Sequence, residues 1–269
     1  MRLSAAPFAL LLAACGAGKP ADAPEAARPT IVSLNPCADA ILAEVAAPGQ
    51  LLAISHYSHD SRSSSMLPED AARFASTGGT VEEVLALGPD VVVADSFLPP
   101  ATRAAFDALG IRVETMSFAA DLSGARAQVR QLAGIAGDRA SGEALVADID
   151  RAWSDAATDG PRVPALMWQQ GGIVPGPESL VAAMMEQSGF ALHSATRGLG
   201  QGAYLPLEQV LADPPRVILA AGDEPMLTHP VLRDLSGTSY ASFDPSLVFC
   251  AGPTIPRALA RLAEVRQSL

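Results

Sequence analysis

Two fifteen-residue stretches of this chain are copies of one another, and that internal repeat limits the possible architecture more than any other feature. Residues 80–94 read TVEEVLALGPDVVVA and residues 206–220 read PLEQVLADPPRVILA. At a constant offset of 126, seven of the fifteen positions are identical: Glu82/Glu208, Val84/Val210, Leu85/Leu211, Ala86/Ala212, Pro89/Pro215, Val91/Val217 and Ala94/Ala220. Each copy reads as an amphipathic helix, a proline-containing turn and a fully apolar strand. Convergence is the plainer alternative, since many α/β proteins carry such a unit. The copies lie at similar points on either side of a long strand-free region, however, which favours two homologous lobes.

The rest of the chain fits that plan. Ile31–Leu34, Leu51–Ser55, Val91–Ala94, Ile111–Thr115, Ala165–Trp168, Val217–Ala220 and Leu247–Cys250 are strand candidates, and helical segments alternate with most of them. Continuous apolar strands alternating with helices predict parallel sheets covered on both faces. Between the lobes, Leu122, Ala125, Val129, Leu132, Ala133 and Ala136 recur at helical spacing. Gly137 ends that helix and Asp138 caps a second, whose apolar stripe from Leu145 to Ala156 predicts a rod about 30 Å long.

The N-terminus reads as a targeting segment. Met1-Arg2 precedes an uncharged apolar run that is too short to cross a membrane, for which about 20 residues are needed. It closes on Leu12-Ala13-Ala14-Cys15, which looks like a lipoprotein signal with Cys15 as the acylated residue. An ordinary signal peptide with an incidental cysteine is the alternative. The following Ala/Pro-rich stretch has no apolar periodicity and reads as a tether. The expected layout is therefore a signal peptide at 1–14, an anchored linker at 15–29, an N-terminal lobe at 30–137, a connecting helix at 138–159 and a C-terminal lobe at 160–269.

A net charge of −11 argues against nucleic acid as a partner, since that binding depends on cationic contacts to phosphate. With Cys15 assigned to lipid, Cys37 and Cys250 remain. A long-range disulfide and two free thiols are both open readings. Nucleophile elbows, HExxH, CxxC and phosphate-loop motifs are missing from the sequence, which gives catalysis little support.

The segments IVSLNPCADAIL at 31–42, TGGTVEEVLALGPDVVVA at 77–94, WQQGGIVPGPESL at 168–180 and LPLEQVLADPPRVILA at 205–220 resemble the periplasmic binding proteins of ABC importers for vitamin B12, ferric siderophores and haem. The likeness covers essentially the whole chain after the tether. It implies an α/β fold of class III type: two Rossmann-like lobes with parallel sheets on one long rigid helix, and a shallow cleft between them. It further implies a periplasmic, membrane-anchored monomer that passes its ligand to a permease dimer driven by an ATPase. A lipoprotein with the same fold serving as a sensor or assembly factor is the second reading.

Ligands of open α/β sheets bind beyond the carboxyl ends of the strands. Those ends supply Asn35, Tyr57, Asp95, Trp168 and Gln169, and Tyr204 precedes the second repeat. Trp168, Tyr57 and Tyr204 would wall a flat corrin or porphyrin, with core packing as the alternative for Trp168. His56, His59 and Asp60 form an HxxHD pattern, but such loops are more often solvated turns, and the second lobe offers only His193 and His229. No resident metal or cofactor is expected. Among transported ligands a corrinoid is favoured over haem or a ferric siderophore. An anionic chelate would want arginines, and only Arg62 and Arg257 lie near the strand ends. Thr80 and Glu83 form a capping box that places Glu82 in a helix's first turn, where the helix dipole alone favours an acid. The resemblance implies a second role for Glu82 and Glu208, as one docking acid per lobe for the permease.

Overall fold

A computed structural model of the chain describes residues 28–269. Cys15, the proposed signal at 1–14 and most of the tether lie outside them. Among the described residues no helix is long and apolar enough to cross a membrane.

The N-terminal half alternates β1 (Ile31–Ser33), α1 (Pro36–Val45), β2 (Leu51–Ser55), α2 (Pro68–Ala71), β3 (Ala75–Thr77), α3 (Val81–Leu87), β4 (Val91–Asp95), α4 (Pro100–Ala108) and β5 (Arg112–Met116). Its five strands form one parallel sheet in the order β3-β2-β1-β4-β5. The order reverses between β1 and β4, so the chain leaves those two strands in opposite directions and opens a crevice at their carboxyl ends.

Two helices follow, α5 (Leu122–Ala136) and α6 (Arg139–Asp155). Gly137 closes α5 in the left-handed region at φ 74°, and the Asp138 side chain accepts from Ser141 N to start α6. At 17 residues α6 is about 26 Å long, shorter than predicted because it stops at Asp155. A Cβ on Gly142 would lie 2.4 Å from Ala133 Cβ, so the two helices approach as closely as they do only because that position has no side chain.

The C-terminal half contains β6 (Val163–Gln169), β7 (Ile173–Val174), α7 (Leu180–Gln187), β8 (Phe190–Leu192), α8 (His193–Thr196), β9 (Ala203–Tyr204), α9 (Leu207–Ala212), β10 (Val217–Ala221), β11 (Ser239–Ser242) and α10 (Thr254–Gln267). Strands β11, β10, β6 and β8 pair in parallel, while β7 and β9 add an antiparallel ribbon at the end of β6. This sheet is thus mixed. The repeat is realised as α3–β4 and α9–β10, whose first residues keep the offset of 126 (81 to 207 and 91 to 217).

The stretch predicted as a last strand, Leu247–Cys250, is instead a 3-10 turn at Pro245–Leu247 and the loop after it. The actual last strand, β11, has the sequence SYAS and is only half-buried, so it lacks the apolar run that marks an interior strand.

The lobes are not separate bodies. One hydrophobic cluster joins Ile31, Ile54 and Val93 of the first sheet to Ile41, Val129 and Ile149 of the helices and on to Met167, Phe190, Leu219 and Ile255 of the second half. The outer face of each sheet has its own smaller cluster, around Phe106 in the first lobe and around Trp168 in the second.

Candidate functional site in the cleft between the lobes

Asn35 follows β1, and its side-chain oxygen accepts from Cys37 N and Ala38 N, capping α1 with Pro36 at the first helical position. Its Nδ2 donates to Asp95 Oδ2 at 3.2 Å, across the crevice where the strand order reverses. The other Asp95 oxygen accepts from Phe97 N at 2.8 Å. Both Asp95 oxygens are thus engaged, and the turn they hold projects Phe97, 88% exposed, at the rim. Phe118, just beyond β5, is 82% exposed on the same lobe.

From the other lobe, Gln169 ends β6 and bridges to Ile173. Between them, Gly171 and Gly172 both adopt the left-handed region. Gly171 N donates to Glu224 Oε1 at 3.0 Å. A Cβ on Gly172 would meet Met226 and the Tyr204 ring at under 3 Å. Gln201 Oε1 accepts from Gly176 N. This glycine-rich segment is a tightly folded lip that presents Gln169 and Gln170.

Together these groups enclose a cavity of about 490 Å³, within the range usual for small-molecule sites. Its polar lining is chiefly carboxamide and hydroxyl: Asn35, Gln128, Gln169, Gln170, Gln201, Ser96, Ser117 and Ser179. Its apolar lining includes Phe97, Phe118, Phe249, Met116 and Met184. Among the described residues lining it, Asp95 is the one that carries a charge.

Asn35, Asp95 and Gln169 therefore line the cavity, and the three predicted aromatic walls do not. Trp168 is fully buried in the outer core of the second lobe, and its Nε1 donates to Leu205 O at 3.0 Å. That corrects its expected place in the cleft. Side chains alternate across a strand, so while Gln169 faces the cleft end, Trp168 points into the layer beneath. Tyr204 packs on Gly172 with its hydroxyl 3.8 Å from Met226 Sδ, and Tyr57 lies against the His56 ring on the exposed turn after β2.

The HxxHD pattern does not assemble into a metal site. His56 Nδ1 sits 3.3 Å from Thr77 O, and Arg62 holds the Asp60 carboxyl below the usual carboxylate range through a direct hydrogen bond. His193 contacts Asp213 O, His229 caps Val231 N, and Arg257 donates to Ser65 O. Among the described residues no group of three or more His, Cys, Asp or Glu is placed to hold a metal ion.

Cys37 of α1 and Cys250 of the loop before α10 are joined as a disulfide with Cα atoms 5.2 Å apart, which rules out the free-thiol alternative. The bond spans the two lobes and lines the cavity. Beside it, Ser65 Oγ donates to Ser246 O and accepts from Cys250 N, so the residue 60–66 loop of the first lobe is stitched to the second.

Glu82 and Glu208 are exposed in the first turns of α3 and α9. Glu83 accepts from Thr77 Oγ1 and Gly78 N, and Thr80 Oγ1 accepts from Glu83 N. The capping duty falls to Glu83, and Glu82 is left facing solvent.

Several lining segments escaped the sequence reading: residues 116–119, Gln128, 179–184 and 245–249. Only Gln128 left a signal, as a polar residue inside the apolar stripe of α5.

The family model for periplasmic binding proteins matches residues 31–236. The chain belongs to this family. Its members bind solutes and are not enzymes, and the family implies a small-molecule ligand, an ABC permease partner and a periplasmic location. The fold of this periplasmic binding protein is similar to that of a periplasmic heme-binding protein from Roseiflexus sp. RS-1 (TM-score 0.69, 20% identity, 90% of this chain and 98% of that one). It is similar also to the periplasmic heme-binding protein HutB of Vibrio cholerae (TM-score 0.70, 16% identity, 88% and 98%). The vitamin B12-binding protein BtuF of Vibrio cholerae is a comparable neighbour (TM-score 0.67, 17% identity, 89% and 98%). No curated protein matches the sequence.

Proposed function

We propose that this protein is the solute-binding component of an ABC importer and captures a corrinoid, such as vitamin B12, between its lobes. The lining of the cavity carries this reading. It combines exposed phenylalanine rings with five carboxamides and, among the described residues, has no arginine, lysine, histidine or tyrosine. A corrin edged with neutral amides matches carboxamide partners and an aromatic rim. Anionic porphyrin or siderophore groups would bring carboxylates or other negative oxygens to a site whose one charge, Asp95, is also negative. Nor do the described residues of the lining offer a histidine or tyrosine for haem iron. Asn35, Asp95 and Gln169 are the proposed ligand contacts from the two lobes.

Glu82 and Glu208 are the proposed docking acids. Their equivalent positions in two related lobes suit a permease made of two like subunits. Cys15 is the proposed lipid attachment point, on the strength of the Leu12-Ala13-Ala14-Cys15 segment.

The test is a calorimetric titration of the purified chain with cyanocobalamin, haem and a ferric siderophore. Binding of cyanocobalamin at micromolar strength or tighter, with weaker binding of the other two, is the expected result. Heat with haem or the siderophore alone would keep the transport role and replace the ligand. Silence with all three would overturn the corrinoid reading and leave a sensor or assembly role to be tested.

A further inference from the structure

The Cys37–Cys250 disulfide lines the cavity and joins the two lobes at its wall. On the first-lobe side, Cys37 is the second residue of α1, and its backbone N–H donates to Asn35 Oδ1 at 2.8 Å. Asn35 in turn donates to Asp95, so the bond is anchored beside two residues that line this side. On the second-lobe side, Cys250 belongs to the irregular loop at 248–253 between the Pro245–Leu247 turn and α10. Val248, Phe249, Cys250 and Ala251 of that loop all line the cavity, and Val248 and Phe249 are only half-buried. Cys250 N donates to Ser65 Oγ at 3.1 Å, and Cys37 Sγ lies 3.8 Å from Phe249 O. The middle of the loop is thus tied to the first lobe by a covalent bond and a hydrogen bond. A wall made of irregular chain is either ordered before the ligand arrives or loses its freedom on binding, at a cost in affinity.

We infer that the Cys37–Cys250 bond is a positioning element of the ligand site: it holds the 248–251 wall at a set distance from Asn35 and Asp95 in the unliganded protein, and so raises ligand affinity as well as stability. This role rests on the cavity being the ligand site and goes beyond it, assigning part of the affinity to a bond that need not touch the ligand. A crosslink that acts only on the unfolded chain changes stability and leaves the affinity of the folded molecules as it was. One that orders a wall of the site also slows ligand release, because differences between related sites appear mostly in dissociation.

The experiment compares the full wild-type chain in detergent with two variants: Cys37→Ser combined with Cys250→Ser, and Trp168→Phe, which disturbs the second lobe away from the cavity. Calorimetry with cyanocobalamin should give a Kd about tenfold higher for the double serine variant, with faster release in stopped-flow displacement, while Trp168→Phe keeps the wild-type values. A single thermal transition above the assay temperature is the control for folding. Should the double serine variant fail to fold, the wild-type chain reduced with dithiothreitol in the cold takes its place, with the same expectation. Wild-type affinity and release in the double serine variant, or an equal loss in Trp168→Phe, overturns the inference and leaves the importer reading standing. Loss of the fold in both the variant and the reduced chain also overturns it, because the bond then holds the fold and not the wall. If the wild type binds haem in place of cyanocobalamin, the corrinoid reading fails and the same comparison of variants with haem decides the inference. Failure of the wild type to bind either overturns both.

Discussion

Asp39, on α1 behind the cleft, has no exposed surface. One carboxylate oxygen accepts from Ser55 N and Ser58 Oγ, tying the turn after β2 to the helix, and the other has no partner among the described residues. Burial outweighs these hydrogen bonds and raises its pKa from 3.8 to about 7. The folded chain therefore holds a proton that the unfolded chain releases, so stability falls as pH rises from about 4 to about 7. A shift of this size corresponds to at most about 4 kcal/mol. Asp39→Asn should flatten that slope, which melting temperatures of both proteins at pH 4.5 and 7.5 would reveal. Asp90, Asp138 and Glu83 are shifted the other way by hydrogen bonds to their carboxylates, so their contribution is lost only as pH falls below about 4. Trp168 offers a second residue-level test. Trp168→Phe leaves the buried Leu205 carbonyl without its donor and should cost about 1–3 kcal/mol in denaturant unfolding, with ligand affinity unchanged.

At the scale of elements, the duplicated unit was the most legible part of the chain. Both copies form the expected helix, turn and strand because the strands, VVVA and VILAA, are buried over their apolar length and the helices each bury one valine. Glu82 and Glu208 open those helices on exposed surface, and docking is their proposed role. Glu82→Arg with Glu208→Arg should abolish ligand uptake in cells while cyanocobalamin affinity in solution stays at the wild-type value. Uptake by the double variant at the normal rate would refute docking through these acids. The short elements were not legible. β7 and β9 have two residues each and β8 three, too few for any alternation to register, and each exists because a neighbour offers it a partner: the end of β6 for β7, β7 for β9 and the start of β6 for β8. The loop at 245–251 misled for the opposite reason: it is apolar because it covers α10 and the cavity, not because it is a strand.

The whole molecule is held in one arrangement by three features at the lobe boundary. The main core passes through α1, α5 and α6 without a break. Gly252 lies so close to Ile41 that a Cβ would approach within 2.6 Å of it. The Cys37–Cys250 disulfide closes a loop over a sequence separation of 213. Crosslinks that close long loops remove the most entropy from the unfolded chain, so replacing both cysteines with serine should cost about 2–5 kcal/mol, read as a lower midpoint in denaturant. The sequence by itself determined the two-lobe α/β plan, the helical connection and the strand ends that carry Asn35, Asp95 and Gln169, because each rests on local periodicity of burial. It left open the partner of Cys37, misplaced Trp168 and gave no cavity wall from α5 or from residues 245–249. Those depend on which surfaces of two separate sheets face each other, and that is decided only when α5, α6 and α10 pack residues far apart in the chain into a single core.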